Sequence, residues 1–380
     1  MRTDSTTVGS FYEFFAGGGL ARVGLGPAWD CLFANDIDPK KVSQYKAVFG
    51  AGEIVEGDVA ALDATALPRG ADLAWASFPC QDLSIAGTRG GLSARRSGAF
   101  WGFWRAIQGL GPEAPTVIAL ENVAGLLTSH AGADFSTLVT VLSDAGYAVG
   151  ALAIDAASFL PQSRPRIFIV AARGAVPAPL RAAAPGPFHG RALVEAAESL
   201  PLQSKSSWIW WRLPEPPRRN MALVDMLEPD DMVEWRENSE TARLLSLMAT
   251  RQRTHIEMLR ASQTRHIGAA FRRMRVENGA KIQRVEARFD GLAGCLRTPA
   301  GGSSRQTLLV VENGKVRSRL LTPRECARLM GLGDDYPLPS STNAALHLMG
   351  DAVAAPAVHW LGEHLLAPLV AAARKTARAA

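Results

Sequence analysis

Between residues 9 and 172 the chain alternates short apolar runs with stretches of helical spacing. "SFYEFFA", "WDCLFAND", "EIVEGDV", "DLAWASF", "TVIALENV", "AVGALAID" and "RIFIVAA" read as strands, and a helical stretch falls around Phe100–Leu110. Near-continuous apolar strands separated by helices predict an α/β fold, a mainly parallel sheet with helices on both faces. In such sheets ligands bind at the carboxyl ends of the strands. Gly17–Gly19, Asp36, Asp58, Cys80 and Glu121 fall at those ends.

After Arg173 the pattern changes. "GAVPAPLRAAAPGPFHG" has the Pro, Gly and Ala content of a linker. "WIWWRLPEPPRRN" sets three tryptophans beside arginines, and residues 230–276 read as helical and Arg-rich. A Gly/Ser loop and a hairpin turning at Asn313-Gly314 follow over 300–321. "PRECARLMGL" is helical, and "HLLAPLVAAARKTARAA" predicts an amphipathic, basic terminal helix.

Composition narrows the class. Lys plus Arg number 41 against 36 Asp plus Glu, a net charge of +5 that matters only where it is concentrated. The four cysteines are widely spaced, with no CxxC pair or Cys/His cluster, which argues against structural zinc and a disulfide framework. A reducing, cytoplasmic setting is expected. The N-terminus lacks the apolar core of a signal peptide, and no apolar run is long enough for a membrane span.

"FFAGGGLARVG" turns the chain directly after the first strand, where glycines allow close approach of a ligand. It is no Walker loop, lacking Gly-Lys-Ser/Thr, and no GxGxxG fingerprint, because Arg22 holds the third glycine position. A glycine loop without pyrophosphate features suits a nucleoside ligand such as S-adenosylmethionine. Asp36 is placed to accept from ribose hydroxyls and Asp58 from an adenine amino group. Either acid alone is more often a helix cap or turn residue; together with the glycine loop, on consecutive strands, they favour a nucleoside site.

Cys80 in "SFPCQDLSIAG" is by itself more in keeping with a buried thiol than with a nucleophile. Its strand-end position and the glycines that follow it favour the second reading. Glu121 closes an apolar strand, where a carboxylate is costly without a partner or role. Arg164 and Arg166 enter the seventh strand two residues apart, which predicts side chains on one face.

Taken in order, "EFFAGGG", "ND", "GD", "FPCQDLS", "ENV", "QSRPR", "LTPRECARLMG" and "GDAVAAP" closely resemble the DNA (cytosine-5) methyltransferase family, over 1–173 and 319–360. The resemblance implies a Rossmann-like S-adenosylmethionine-dependent methyltransferase sheet with a smaller target-recognition domain. It implies a catalytic domain over 1–189, target recognition over 190–318, and a returning segment over 319–380. On this resemblance Cys80 adds to C6 of a flipped cytosine and Glu121 bonds N3 and the amino group. Arg164 holds the base, and Arg166 supports it. Phe15, Gly17, Gly19, Asp36, Ile37, Asp58, Phe78, Pro79 and Asp351 match cofactor positions, with S-adenosylmethionine the methyl donor and no metal. Gln81 and Ser84 match positions that touch DNA around the vacated base, and Arg305 and Gln306 are expected near DNA.

Three positions depart from the family pattern. Glu13 stands for the usual Asp, Ile37 for an aromatic that packs on adenine, and Asp351 for the usual Asn. The expected partner is double-stranded DNA, with a separate restriction endonuclease possible, no membrane, and a monomeric, nucleoid-associated bacterial protein. An RNA substrate and a catalytically silent DNA-binding protein are the competing readings. The Arg-rich recognition span argues against the first, and the intact Cys80, Glu121 and Arg164 set against the second.

Overall fold

The computed structural model describes residues 7–79, 98–262, 264–277, 279–299 and 305–379. These divide into two compact units, one drawn from 1–155, 165–216 and 353–380, the other from 156–164 and 217–352. The division falls elsewhere than the motif boundaries at 189/190 and 318/319.

The first unit is built on β1 (Gly9–Phe14), β2 (Trp29–Asp36), β3 (Ile54–Glu56), β4 (Leu73–Ala76), β5 (Val117–Val123), β6 (Ala148–Asp155) and β7 (Pro165–Ala172). They form a seven-stranded sheet in the order β3-β2-β1-β4-β5-β7-β6. All neighbours run parallel except β7, which is antiparallel to both β5 and β6. The seven apolar runs of the sequence are these strands. Burial on both faces explains why they read as near-continuous apolar stretches rather than as alternation.

Tyr12, Phe14, Ile118, Leu120 and Ile169 face one layer, which holds α3 (Ala99–Gly109) and α4 (Ala133–Asp144). The other layer includes α1 (Leu20–Leu25), α11 (Ala355–Leu361) and α12 (Ala367–Ala379). Gly24 permits α1 to lie against α11, for a Cβ there would sit 2.5 Å from Val358 Cβ and 2.6 Å from Ala355 O. Arg374 on α12 pairs with Asp72 at 2.7 Å. Between these, α2 (Pro39–Phe49) follows β2, capped by Asp38, whose side chain accepts from Lys40 N–H.

The "WIWW" stretch also belongs to this unit. β8 (Arg181–Ala182) pairs with β9 (Trp210–Trp211), close to α5 (Arg191–Glu198) and α6 (Leu202–Ser206). Trp208 and Trp210 pack on the same core as α4, and Trp211 is buried. These tryptophans, expected beside arginines in the recognition span, are packing residues.

The second unit carries β10 (His266–Glu277), β11 (Ala280–Arg288), β12 (Thr307–Glu312) and β13 (Lys315–Leu320), an antiparallel sheet in the order β11-β10-β12-β13. The predicted hairpin at Asn313-Gly314 is present, with both residues at positive φ (51° and 72°), as a two-residue turn between right-twisted strands requires. Leu244 of α7 (Asn238–Ser246), Ile256 of α8 (Thr250–Ala261) and Met248 between the two helices pack on Ala270, Val285, Leu309 and Val311. The expectation of helix throughout 230–276 is therefore corrected. Helix occupies 238–246 and 250–261, and 266–277 is strand, because pairing with β11 and β12 overrides the helical preference of its arginines. α9 (Pro323–Arg328) and α10 (Thr342–Asp351) complete the unit.

Candidate active site

At the carboxyl ends of β1 to β3 the chain builds a cradle. Phe15, the residue after β1, is held at φ 57°, a left-handed conformation that side chains rarely adopt. Gly17 follows at φ 58°, and a Cβ on it would project into open space. Gly19, at φ 77°, is required sterically, since a Cβ there would meet the Phe49 ring at 2.3 Å. Asp36 ties the loop to β2. Its Oδ2 accepts from Gly17 N–H (2.8 Å) and its Oδ1 from Asp38 N–H (2.9 Å).

Asp58 lies at the end of β3, exposed, with Oδ1 accepting from Ala60 N–H at 2.8 Å. α3 presses on that turn through Gly102, whose Cβ would lie 2.8 Å from Ala60 Cα. The Asn35 amide donates to Val55 O (3.1 Å) and Gly57 O (3.0 Å), which fixes the approach to Asp58.

These elements border a cavity of about 1130 Å³. Phe15, Ile37, Asp58 and Pro79 line it, joined by Asn35 and by Trp101, Trp104 and Arg105 of α3. Apolar rings and an acid on the turn after β3 fit the adenosine portion of S-adenosylmethionine. Ile37 is 64% exposed. Asp36 is buried beneath the loop it ties, and Phe78 is buried against Phe100, ring centroids 5.5 Å apart.

Glu13 lies on the opposite face of β1, under α1, with Oε1 accepting from Arg22 N–H at 3.2 Å. Burial pushes its carboxyl up to about 8, against the opposing pull of the Arg22 backbone and charge. The extra methylene of Glu thus reaches the start of α1 rather than the cavity.

A second cluster sits at the end of β5. Glu121 is buried, and its Oε1 meets Arg166 Nε at 2.8 Å. The register explains the pair. Glu121 faces Phe168 and Val123 faces Arg166 across β5 and β7, so Glu121 and Arg166 are diagonal neighbours on one face. Arg166 also donates from Nη1 to Pro165 O (2.9 Å). Asn122 donates to Phe78 O at 3.0 Å, linking the "ENV" strand to the residues just before Cys80.

Arg164 has a different setting, in the second unit. Its guanidinium is buried and donates to Leu296 O (2.8 Å), Gly350 O (2.8 Å) and Ala352 O, with Cys295 Sγ at 3.4 Å. Gln162, also buried, donates to Leu329 O at 2.6 Å and accepts from Leu296 N–H at 3.1 Å. The "QSR" half of the motif therefore staples segments of the second unit. Strand alternation does not relate Arg164 to Arg166, because β7 begins only at Pro165.

The remaining expected residues lie apart or outside. Gln306 is buried, with Oε1 accepting from Gly294 N–H (3.2 Å) and Nε2 donating to Cys295 O (3.4 Å). Arg305 is half-buried beside Leu296 and Cys326, and Asp351 is exposed at the end of α10. Cys80, Gln81 and Ser84 lie outside the described residues.

The sequence model of the C-5 cytosine-specific DNA methylases matches residues 9–367. The chain belongs to this family. It is 29% identical to the type II methyltransferase M.HpaII of Haemophilus parainfluenzae, over 95% of this chain and 90% of that one. It is 26% identical to M.HhaI of Haemophilus parahaemolyticus, over 90% of each chain. Among solved structures, Dnmt2 methyltransferase of S. pombe superposes with a TM-score of 0.55 at 18% identity, covering 93% of this chain and 96% of that one. A methyltransferase of Entamoeba histolytica gives 0.59 at 13% identity, over 93% and 96%. These likenesses carry the S-adenosylmethionine-dependent methyltransferase fold.

For a DNA cytosine methylase, the sequence motifs miss one wall of the cavity. Trp101, Trp104 and Arg105 come from "AFWGFWRAI", which has an apolar helical period but no motif of its own. The available signal is a charged residue beside two large aromatics on a helix that follows the cysteine loop.

Proposed function

We propose that the protein methylates C5 of a cytosine flipped out of duplex DNA, using Cys80 as nucleophile with Glu121 and Arg166 as the groups that hold the base. The observation that carries this is the buried Glu121–Arg166 pair at 2.8 Å, on a strand end of the same sheet that borders the cavity. A base in the stack must be extruded before C6 can be reached, at a cost of a few kcal/mol.

S-adenosylmethionine, when bound, supplies an electrophilic methyl group. Phe15, Ile37 and Asp58 would hold its adenosine, with the Gly17 backbone close by. The Cys80 thiolate forms a bond to C6, and the C5=C6 electron pair moves to C5 and into the ring. Glu121, hydrogen-bonded to N3 and the exocyclic amine, stabilises the charge that develops there. Arg166 fixes the Glu121 carboxylate and retains further donors for the base, since its fork carries five N–H groups. C5 takes the methyl group, loses its proton to a base, and the returning pair expels the Cys80 thiolate to restore the C5=C6 bond. Arg164 on this reading is a positioning residue, and Gln81, Ser84 and Arg305 are DNA contacts. The type II relatives favour a separate restriction endonuclease as companion.

The test incubates the protein with methyl-labelled S-adenosylmethionine and either duplex DNA or tRNA. Label at C5 of cytosine in DNA, abolished in Cys80→Ser, is expected. Label in tRNA alone would overturn the DNA reading, and DNA binding without label would overturn the catalytic one.

A further inference from the structure

Among the described residues, β10 beyond Ala270 pairs only with β11, because its pairing with β12 covers only His266–Ala270. The rest of the β10–β11 hairpin extends as a two-stranded ribbon with two unlike faces. Cross-strand partners share a face. One face carries Phe271, Arg273, Arg275 and Glu277 opposite Glu286, Arg284, Ile282 and Ala280. Each of its three arginines is paired with an acid. Arg275 and Arg273 both pair with Glu286, the latter at 3.7 Å, and Arg284 Nε donates to Glu277 at 2.7 Å.

The other face carries Arg272, Met274 and Val276 opposite Val285, Gln283 and Lys281. Among the described residues this face holds no acid, and neither Arg272 nor Lys281 has an ion-pair partner. Met274 is 56% and Val276 70% exposed. This is the face that α7 and α8 cover lower down, through Ala270 and Val285. Toward the tip it emerges bare, with cations interleaved among apolar groups.

A further cation gathers at its base. Arg236 donates to Thr307 Oγ1 at 3.4 Å, and Thr307 lies opposite Ala270. The charges of Arg272 and Arg305 reach Arg236, and, after burial, Arg272 is the largest influence depressing its pKa. The acid that opposes them, Glu240, already accepts from Glu237 N–H at the start of α7. Mutual repulsion among guanidiniums is unfavourable in the protein alone and is relieved by a polyanion.

We infer that the Arg272–Met274–Val276 face of this hairpin, with Lys281, Gln283 and Arg236, lies on the DNA flanking the target base. The inference rests on the methyltransferase reading and extends it from the reacting base to the duplex. A two-stranded ribbon fits a major groove. There the cations meet phosphates, Gln283 faces base edges and the apolar pair faces thymine methyl groups.

The test measures the affinity of the full chain for a pool of labelled random-sequence duplexes across a salt series. It compares Arg272→Gln/Lys281→Gln with Arg273→Gln/Arg284→Gln. Both remove two positive charges from the same hairpin, one pair from each face. The first is expected to weaken binding roughly tenfold and to flatten the slope of log affinity against log salt by about 2, with the thermal midpoint not lowered. The second is expected to change affinity less than about threefold, because its arginines are already neutralised. Equal effects from the two pairs, or none from the first, would overturn the inference while leaving the enzyme intact. Loss of self-association in the first variant with unaltered DNA affinity would reassign the face to a second copy and overturn it too. Absence of duplex binding by the unaltered protein would remove the methyltransferase reading itself, and the inference with it.

Discussion

Buried charge is handled in opposite ways in the two units. In the second, Arg164 is surrounded by backbone carbonyls, and Arg319 and Glu325 form a doubly bonded pair at 2.7 and 2.5 Å in the interior. Glu325 also closes the start of α9, accepting from Thr322 N–H at 2.9 Å. In the first unit, Glu121 and Arg166 pair at 2.8 Å on a strand end, and Asp58, which lines the cavity, holds its turn through one oxygen. A buried charge is thus no mark of chemistry by itself. Hydrogen-bonding capacity left over after the fold is satisfied is the better sign.

That contrast can be broken most sharply at Glu121. Glu121→Gln is expected to lower kcat about 10²–10³-fold with DNA affinity within about twofold, measured by methyl incorporation and fluorescence anisotropy. If kcat holds and the protein instead melts early, Glu121 belongs with the architectural charges. Arg164→Ala should do the reverse. Removing a buried guanidinium leaves several carbonyls without donors, so a loss of about 3 kcal/mol is expected in urea unfolding, with Arg164→Lys a poor rescue. Arg166→Ala should cost far less stability and far more turnover.

Glu13 sharpens the comparison from the other side, as an acid of the first unit held neutral. Its folded pKa, about 8, lies above the ordinary carboxyl value. Between the two the folded state retains a proton that the unfolded state has lost, so stability falls as pH rises through that window and levels off above it. Glu13→Gln should remove this slope, with a gain on the order of 2 kcal/mol near pH 8 that disappears near the ordinary carboxyl pKa. A melting midpoint with unaltered pH dependence would show the carboxyl to be solvated. The smallest effect is expected at Ile37→Trp, which offers a ring where an exposed aliphatic now borders the cavity. S-adenosylmethionine should bind tighter by about 1 kcal/mol, read by calorimetry.

The sequence shows the first unit more plainly than the second, for physical reasons. Strands buried on both faces must be apolar throughout, so β1 to β7 stand out, and their ends mark Asp36, Asp58 and Glu121. β10 hides because only its first part is buried, and its "RRMRV" tip alternates cations with apolar residues, which helices also tolerate. The parity expected of Arg164 and Arg166 fails because alternation holds inside a strand and not across its first residue. Gln306 reads as a polar loop residue, yet its amide is consumed by the 294–295 backbone, a partnership made through tertiary packing that neighbouring positions do not reveal.

Gly24 brings a constraint from the order of synthesis. The helix that follows the glycine loop leaves the ribosome more than three hundred residues before α11, the helix that covers it. Until α11 is made, the side of α1 that Gly24 opens has no cover. A nascent chain therefore carries Phe15, Asp36 and Asp58 long before α1 is pinned by the helix that packs on it, and the glycine-loop region waits on a helix translated much later.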